Sequence, residues 1–153
     1  MTTIVISRKH RLIAVDSRNT DSSSAVFLAN KIDRLSDGRF FFGSGHLLTI
    51  GKAKRWAEAR FSEGERPEFG ELFTENADDF RFSCLVMSAD GSDVTLIDDE
   101  MEPCEVLDEF LAIGTGAAYA LGALRAGATP ETAVTIAIDL DGNSGGPVRT
   151  CAF

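Results

Sequence analysis

The chain has 153 residues, of which 44% are hydrophobic, and its 24 acidic and 15 basic side chains give a net charge of −9. That length and apolar content suit one domain over residues 1–153 with a buried core. The acidic balance argues against nucleic acid as a partner, and no apolar run approaches the ~18 residues that a membrane span needs.

In chain order, Thr3-Ile4-Val5-Ile6-Ser7 and Leu12-Ile13-Ala14-Val15 are short apolar runs around Arg8-Lys9-His10-Arg11, which predicts a hairpin. Ser17 to Ser24 is polar and predicts a loop. Asp37-Gly38 predicts a tight turn between the arms Lys31–Leu35 and Arg39–Phe42. Gly43-Ser44-Gly45 is expected to end that strand and open a helix over His46–Phe61, where Ile50, Ala53, Trp56, Ala57 and Phe61 recur at helical spacing. The basic Lys52-Ala53-Lys54-Arg55 reads as a solvated face of that helix. Glu68 to Asp79, with Phe69, Leu72 and Phe73, is ambiguous, and a short second helix is one reading.

Strands return at Phe82–Ser88 and Asp93–Ile97 around a second Asp-Gly turn, Asp90-Gly91, and again at Phe110–Ile113. Ala117–Ala126 predicts a helix of small apolar residues stopped by Gly127. Being apolar all round, it should be covered on more than one side. Thr129-Pro130-Glu131 is a helix start with Thr as N-cap and Pro at the first position, and that helix should reach Leu140. Gly146–Ala152 predicts the last strand. This order suits an α+β fold: a four-layer αββα sandwich of two antiparallel sheets, with helix pairs outside.

Met1-Thr2-Thr3 leads straight into a strand and then charges, so no signal peptide and no export are expected. Cys84, Cys104 and Cys151 form no C-x-x-C, so no metal, redox motif or cofactor is called for, and a cytoplasmic location fits. Cys84 and Cys151 sit in apolar runs and read as small core residues. His10 reads as solvated, His46 as structural, and Asp98-Asp99-Glu100 as a solvated loop.

The N-terminus carries candidate chemistry. A small penultimate Thr favours removal of Met1, which would give Thr2 a hydroxyl and a free α-amine. An amine with a pKa near ~8 can take the hydroxyl's proton and make it nucleophilic. A lysine beside the hydroxyl would lower its pKa, and an aspartate would hold that lysine charged and placed. Lys31 and Asp16 are the candidates. Backbone N–H groups of Gly43-Ser44-Gly45 could face a developing oxyanion.

Six features in this order resemble the proteasome β-type family, and most closely its HslV-type bacterial peptidases. They are Thr2-Thr3-Ile4-Val5, Asp16-Ser17-Arg18, Lys31 ahead of a short strand, Gly43-Ser44-Gly45, Gly114-Thr115-Gly116 followed by Tyr119-Ala120, and Asp141-Gly142-Asn143-Ser144-Gly145-Gly146. Thr115 stands where the family has serine. The resemblance spans essentially the whole chain and implies the N-terminal nucleophile hydrolase fold. It also implies a threonine endopeptidase: Thr2 as nucleophile, Lys31 tuning its hydroxyl, and Asp16 positioning Lys31. Gly45 would supply an oxyanion N–H, while Thr115, Asp141 and Ser144 would orient the amine. Thr20, Ser44 and Arg18 would contact substrate. Polypeptide substrates, a homo-oligomeric ring (hexameric, heptameric or stacked) and an AAA+ unfoldase partner are implied in the same way.

Two other readings compete. A non-catalytic ring subunit would keep the fold without the nucleophile. Gly142-Asn143-Ser144-Gly145-Gly146-Pro147 also looks like the serine loop of trypsin-like proteases, with Ser144 as nucleophile. Only nine residues follow Ser144, fewer than that double-barrel fold needs, and neither His10 nor His46 has a convincing catalytic setting.

Overall fold

The first hairpin forms as its sequence predicts. β1 (Ile4–Ser7) pairs antiparallel with β2 (Leu12–Val15), Ile4 opposite Val15 and Ser7 opposite Leu12. The computed structural model describes residues 2–20, 24–67, 82–99 and 102–153. After the hairpin come β3 (Arg18–Thr20), β4 (Val26–Leu28), β5 (Asp33–Arg34), β6 (Phe40–Gly45), α1 (Leu47–Glu58) and a 3₁₀ turn (Glu63–Glu65). β7 (Phe82–Met87), β8 (Val94–Asp98), β9 (Cys104–Glu105), β10 (Phe110–Ile113), α2 (Ala117–Arg125), α3 (Pro130–Leu140) and β11 (Arg149–Ala152) follow. The ambiguous segment Glu68–Asp79 lies outside the described residues, as do Met1 and Glu100.

The chain divides into two compact units, Met1–Ile32 with Leu107–Phe153, and Asp33–Val106. In the first, four antiparallel strands run in the order β10-β1-β2-β11. Val5 and Ala14 of the two central strands pack with Ala120 and Leu124 of α2 and Ala133, Val134 and Ala137 of α3. Alanines dominate this contact, so the helices can lie close to the strands without leaving voids. The predicted start of α3 is present: Thr129 accepts the Thr132 N–H at 3.2 Å, and Pro130 occupies the first turn. Such a cap contributes about 1 kcal/mol.

Three expectations for this unit are corrected. The run Ser17–Ser24 is not all loop, because Arg18–Thr20 forms a ladder with Val26–Leu28. Helix α2 is not covered on several sides: it buries only Ala120 and Leu124, and Tyr119 is 45% exposed. The last strand begins at Arg149 rather than Gly146, since Gly146 adopts φ +75° and Pro147 has no N–H to give a ladder.

The second unit is a five-stranded antiparallel sheet in the order β5-β6-β7-β8-β9. Helix α1 buries Ala53, Trp56 and Ala57 with Leu35, Phe41, Phe82, Cys84, Val86 and Ile97. Phe40 and Phe42 alternate to the other face and stack there at 6.0 Å. The helix is shorter than His46–Phe61, because Arg60 and Phe61 take φ of 51° and 58°. That left-handed turn folds Phe61 back edge-on against Trp56, with ring centroids 5.3 Å apart. Gly43-Ser44-Gly45 does not leave the strand: all three pair with β7, Gly45 opposite Phe82. Only Asp33–Arg34 of the arm Lys31–Leu35 is strand, and β9 has no counterpart among the predicted elements. Cys84 is buried as expected, and Cys151 is half-buried.

Candidate active site

Asp16 is the hub of the first unit. It follows β2, and its N–H donates to the Thr3 carbonyl at 3.0 Å, so the hairpin pairing continues beneath the N-terminus. Its carboxylate is fully buried. Oδ1 accepts the Thr3 N–H at 2.8 Å, the Thr2 hydroxyl at 3.1 Å and the Lys31 ammonium at 2.8 Å. Oδ2 accepts the Gly145 N–H at 3.1 Å. Lys31 Nζ also donates directly to Thr2 Oγ1. Hydroxyl, ammonium and carboxylate thus share one small, nearly dry space, with Thr2 only 3% exposed.

The electrostatics follow from that burial. Desolvation disfavours the charged form of Lys31 and draws its pKa below the ordinary lysine value, while the hydrogen bond and charge of Asp16 pull the other way. An ammonium in contact with an alcohol stabilises the alkoxide that forms when the alcohol gives up its proton, so the pair can favour nucleophilic attack.

A second group of side chains lies along the turn after α3. Asp141 caps that helix, and its carboxylate accepts the Thr115 hydroxyl at 2.6 Å, the Ser144 hydroxyl at 2.7 Å and the Asn143 N–H at 3.1 Å. Burial would raise the pKa of Asp141, but these donors outweigh it and hold the carboxyl below its ordinary range. Ser144 Oγ lies 2.7 Å from Thr3 Oγ1. The turn is tied to β3 by Ser17 and Arg18, whose N–H groups both donate to the Gly145 carbonyl, at 3.1 and 2.8 Å. Arg18 Nη1 donates to the Gly142 carbonyl at 3.1 Å.

The structure therefore brings Thr2, Asp16 and Lys31 into direct contact, and joins Thr115, Asp141 and Ser144 to them through Thr3 and Gly145. Thr20 lies exposed on β3. Ser44 and Gly45 belong to the second unit, at the end of β6, where Gly45 adopts φ +113°. The imidazoles have other partners: His10 Nδ1 pairs with Ser7 Oγ at 2.8 Å, and His46 Nδ1 with Thr49 Oγ1 at 3.1 Å. Among the described residues, no group of three His, Cys, Asp or Glu side chains is placed to hold a metal ion, and no helix is long and apolar enough to cross a membrane.

Comparison with solved structures identifies the architecture. HslV from Trypanosoma brucei, a eukaryotic HslV, superposes with a TM-score of 0.69 at 23% identity, covering 98% of each chain. The chain has an HslV-like fold. BPH from Thiobacillus denitrificans superposes with a TM-score of 0.67 at 21% identity over 99% of this chain and 97% of that one. No known protein family matches the sequence, and no curated protein does.

Within this HslV-like fold, Thr3, Gly114 and Gly116 border the site, although in the sequence they figured only as parts of motifs and had no role. Gly114 has φ +99°, and a Cβ there would fall on the Thr2 carbonyl. A Cβ on Gly116 would fall on Thr3 Oγ1. The signal was available in the pair of glycines flanking Thr115, since two glycines so close together mark a near approach of backbone to a neighbour.

Proposed function

We propose that this chain is a peptidase subunit whose nucleophile is the Thr2 hydroxyl, active once Met1 has been removed. The observation that carries the reading is the sharing of one Asp16 oxygen by the Thr2 hydroxyl and the Lys31 ammonium. In the proposed reaction the freed α-amine of Thr2 takes the hydroxyl proton as Oγ attacks the peptide carbonyl. Lys31 steadies the developing alkoxide, and Asp16 holds Lys31. The amine's proton passes to the departing amine, an ester to Thr2 remains, and water resolves it with the α-amine again as base. Thr115, Asp141 and Ser144 orient the amine, and a backbone N–H at Gly45 is assigned to the oxyanion by resemblance. Thr20, Ser44 and Arg18 are assigned to substrate contacts on the same basis.

The reading extends to one domain in four αββα layers, in the cytoplasm, assembled as a homo-oligomeric ring served by an AAA+ unfoldase and acting on polypeptides. Exposed Val26, Phe27 and Leu28 on β4 supply apolar surface for such assembly. Native mass spectrometry of the intact protein should give a ring; a monomer at all concentrations rejects the ring.

A peptide epoxyketone tests the nucleophile. Mass spectrometry of the Met1-free chain should find the adduct on Thr2, absent in Thr2→Ala and present in Ser144→Ala. An adduct on Ser144, or none on a folded Met1-free chain, rejects the reading. The trypsin-like alternative gains no support, because the Ser144 hydroxyl is committed to a carboxylate rather than an imidazole. The non-catalytic ring subunit is favoured by Thr115, which stands where the family has serine. A chain that keeps Met1 in its native host would select it.

A further inference from the structure

Thr3 has no role in the reaction so far, yet its side chain is fully buried in a chain of hydroxyls. A hydroxyl has one proton to donate and two lone pairs to accept with. Ser144 donates its proton to Asp141 Oδ2 at 2.7 Å, so the 2.7 Å contact with Thr3 must be a bond that Thr3 donates. Among the described residues, Ser144 is left with one uncommitted lone pair and no proton to offer. Gly116 faces the same spot, since a Cβ there would meet both Thr3 Oγ1 and Ser144 Oγ. Ala137 Cβ lies against the same spot, so glycine at 116 leaves room for the two hydroxyls and for the packing of α3 beside them.

We propose that Thr3 is a positioning residue: its hydroxyl fixes Ser144 as a pure hydrogen-bond acceptor for the amine of processed Thr2. This deepens the peptidase reading above and rests on it. A general base must keep its own lone pair for the proton it takes, so its N–H groups have to point at acceptors. A serine free to turn could donate to the amine and occupy that lone pair. With its proton held by Asp141 and one lone pair filled by Thr3, Ser144 can only accept. The charged groups packed around these residues are Asp16 at the end of β2, Lys31, Arg18 of β3 and Asp141 at the end of α3. Ser144 relays the charge of Asp141 toward the amine and so stabilises its protonated form. Loss of the Thr3 hydroxyl loosens that relay, and the amine pKa falls.

The test uses the Met1-free full chain, Thr3→Val and Thr3→Ser, with Thr3→Ala in reserve if Thr3→Val fails to fold. The isotope-labelled Thr2 amine is titrated by NMR, and inactivation by a peptide epoxyketone is followed across pH. Thr3→Val should lower the amine pKa by about half a unit or more, and the maximal inactivation rate about tenfold, with KI within about twofold of wild type. Thr3→Ser, which keeps the hydroxyl, should restore both. Thr3→Val with wild-type titration and rate overturns the proposal. So does a folded Thr3→Ser as impaired as Thr3→Val, which would make the methyl group the important feature. If the wild type itself is never labelled on Thr2, the peptidase reading fails, and the amine titration still decides the role of Thr3.

Discussion

Lys31 and Asp16 form a buried ion pair, Nζ to Oδ1 at 2.8 Å, with side-chain exposures of 10% and 0%. Both members of the pair contact the Thr2 hydroxyl. Under the proposed mechanism the Thr2 amine must be neutral, above about pH 8, while Lys31 must stay charged. Burial draws Lys31 below 10.5, so the rate of epoxyketone labelling should trace a bell whose alkaline limb lies below that value. Lys31→Arg should remove the alkaline limb and lower the maximum about tenfold or more, since a guanidinium holds its proton but cannot match the ammonium's place. A profile that stays flat past 10.5 contradicts the assignment of Lys31.

The two partners should not be equal in stability. Asp16→Asn strips Lys31 of its counter-charge in a buried site and should cost about 3–5 kcal/mol. Lys31→Met leaves Asp16 with the N–H groups of Thr3 and Gly145, so its loss should be smaller, about 1–3 kcal/mol. Urea unfolding of both variants checks the order; the reverse order contradicts the role of Asp16 as hub.

Asp141 should make its contribution above the ordinary carboxylate pKa and lose it in acid. Its native pKa is depressed, so the native state releases this proton more readily than the unfolded chain does. The stabilisation is complete above about pH 4 and disappears as pH falls through the depressed native value. Asp141→Asn should therefore be about 1–2 kcal/mol less stable than wild type at neutral pH, with the gap closing in acid. A gap that is constant with pH would show that the charge is irrelevant.

Two glycines of one unit should respond oppositely to alanine. Gly114→Ala forces a Cβ onto the Thr2 carbonyl at φ +99° and should cost about 2 kcal/mol or more and abolish labelling of Thr2. Gly122, inside α2, has nothing within 4 Å of an added Cβ. Gly122→Ala should raise stability by about 0.5–1 kcal/mol and leave labelling intact. Thermal unfolding with labelling separates the two; equal effects would deny Gly114 its place against Thr2.

Where local signals and tertiary pairing agreed, the sequence was readable. The β1–β2 hairpin, the Asp90-Gly91 turn and the Thr129-Pro130 start of α3 all follow from side chains acting on their near neighbours. The failures sit where distant partners decide. Arg18-Asn19-Thr20 lacks apolar alternation, and it becomes a strand only because Val26–Leu28 supplies a ladder. Gly43-Ser44-Gly45 stays extended because β7 pairs with it through Gly45, and glycine at 43 leaves room for Ile50. At the site, the contact among Thr2, Asp16 and Lys31 was expected from the motifs that carry them and from the pairing of a hydroxyl with a lysine and an aspartate. A role for Thr3 was not, since a threonine in a β-branched run reads as strand filler until Ser144 is seen against it.

Strand β1 is flanked by β10, and β2 by β11, so the sheet beneath Thr2 draws on segments made early and late in synthesis. A growing chain exposes its first hairpin long before either flanking strand, or Gly145, has been made. Asp16 then lacks one of the four donors it holds in the folded protein, and the turn carrying Ser144 does not yet exist. A half-made copy on the ribosome thus has the surroundings of Thr2 unassembled until the last strand and the Gly145 turn have emerged.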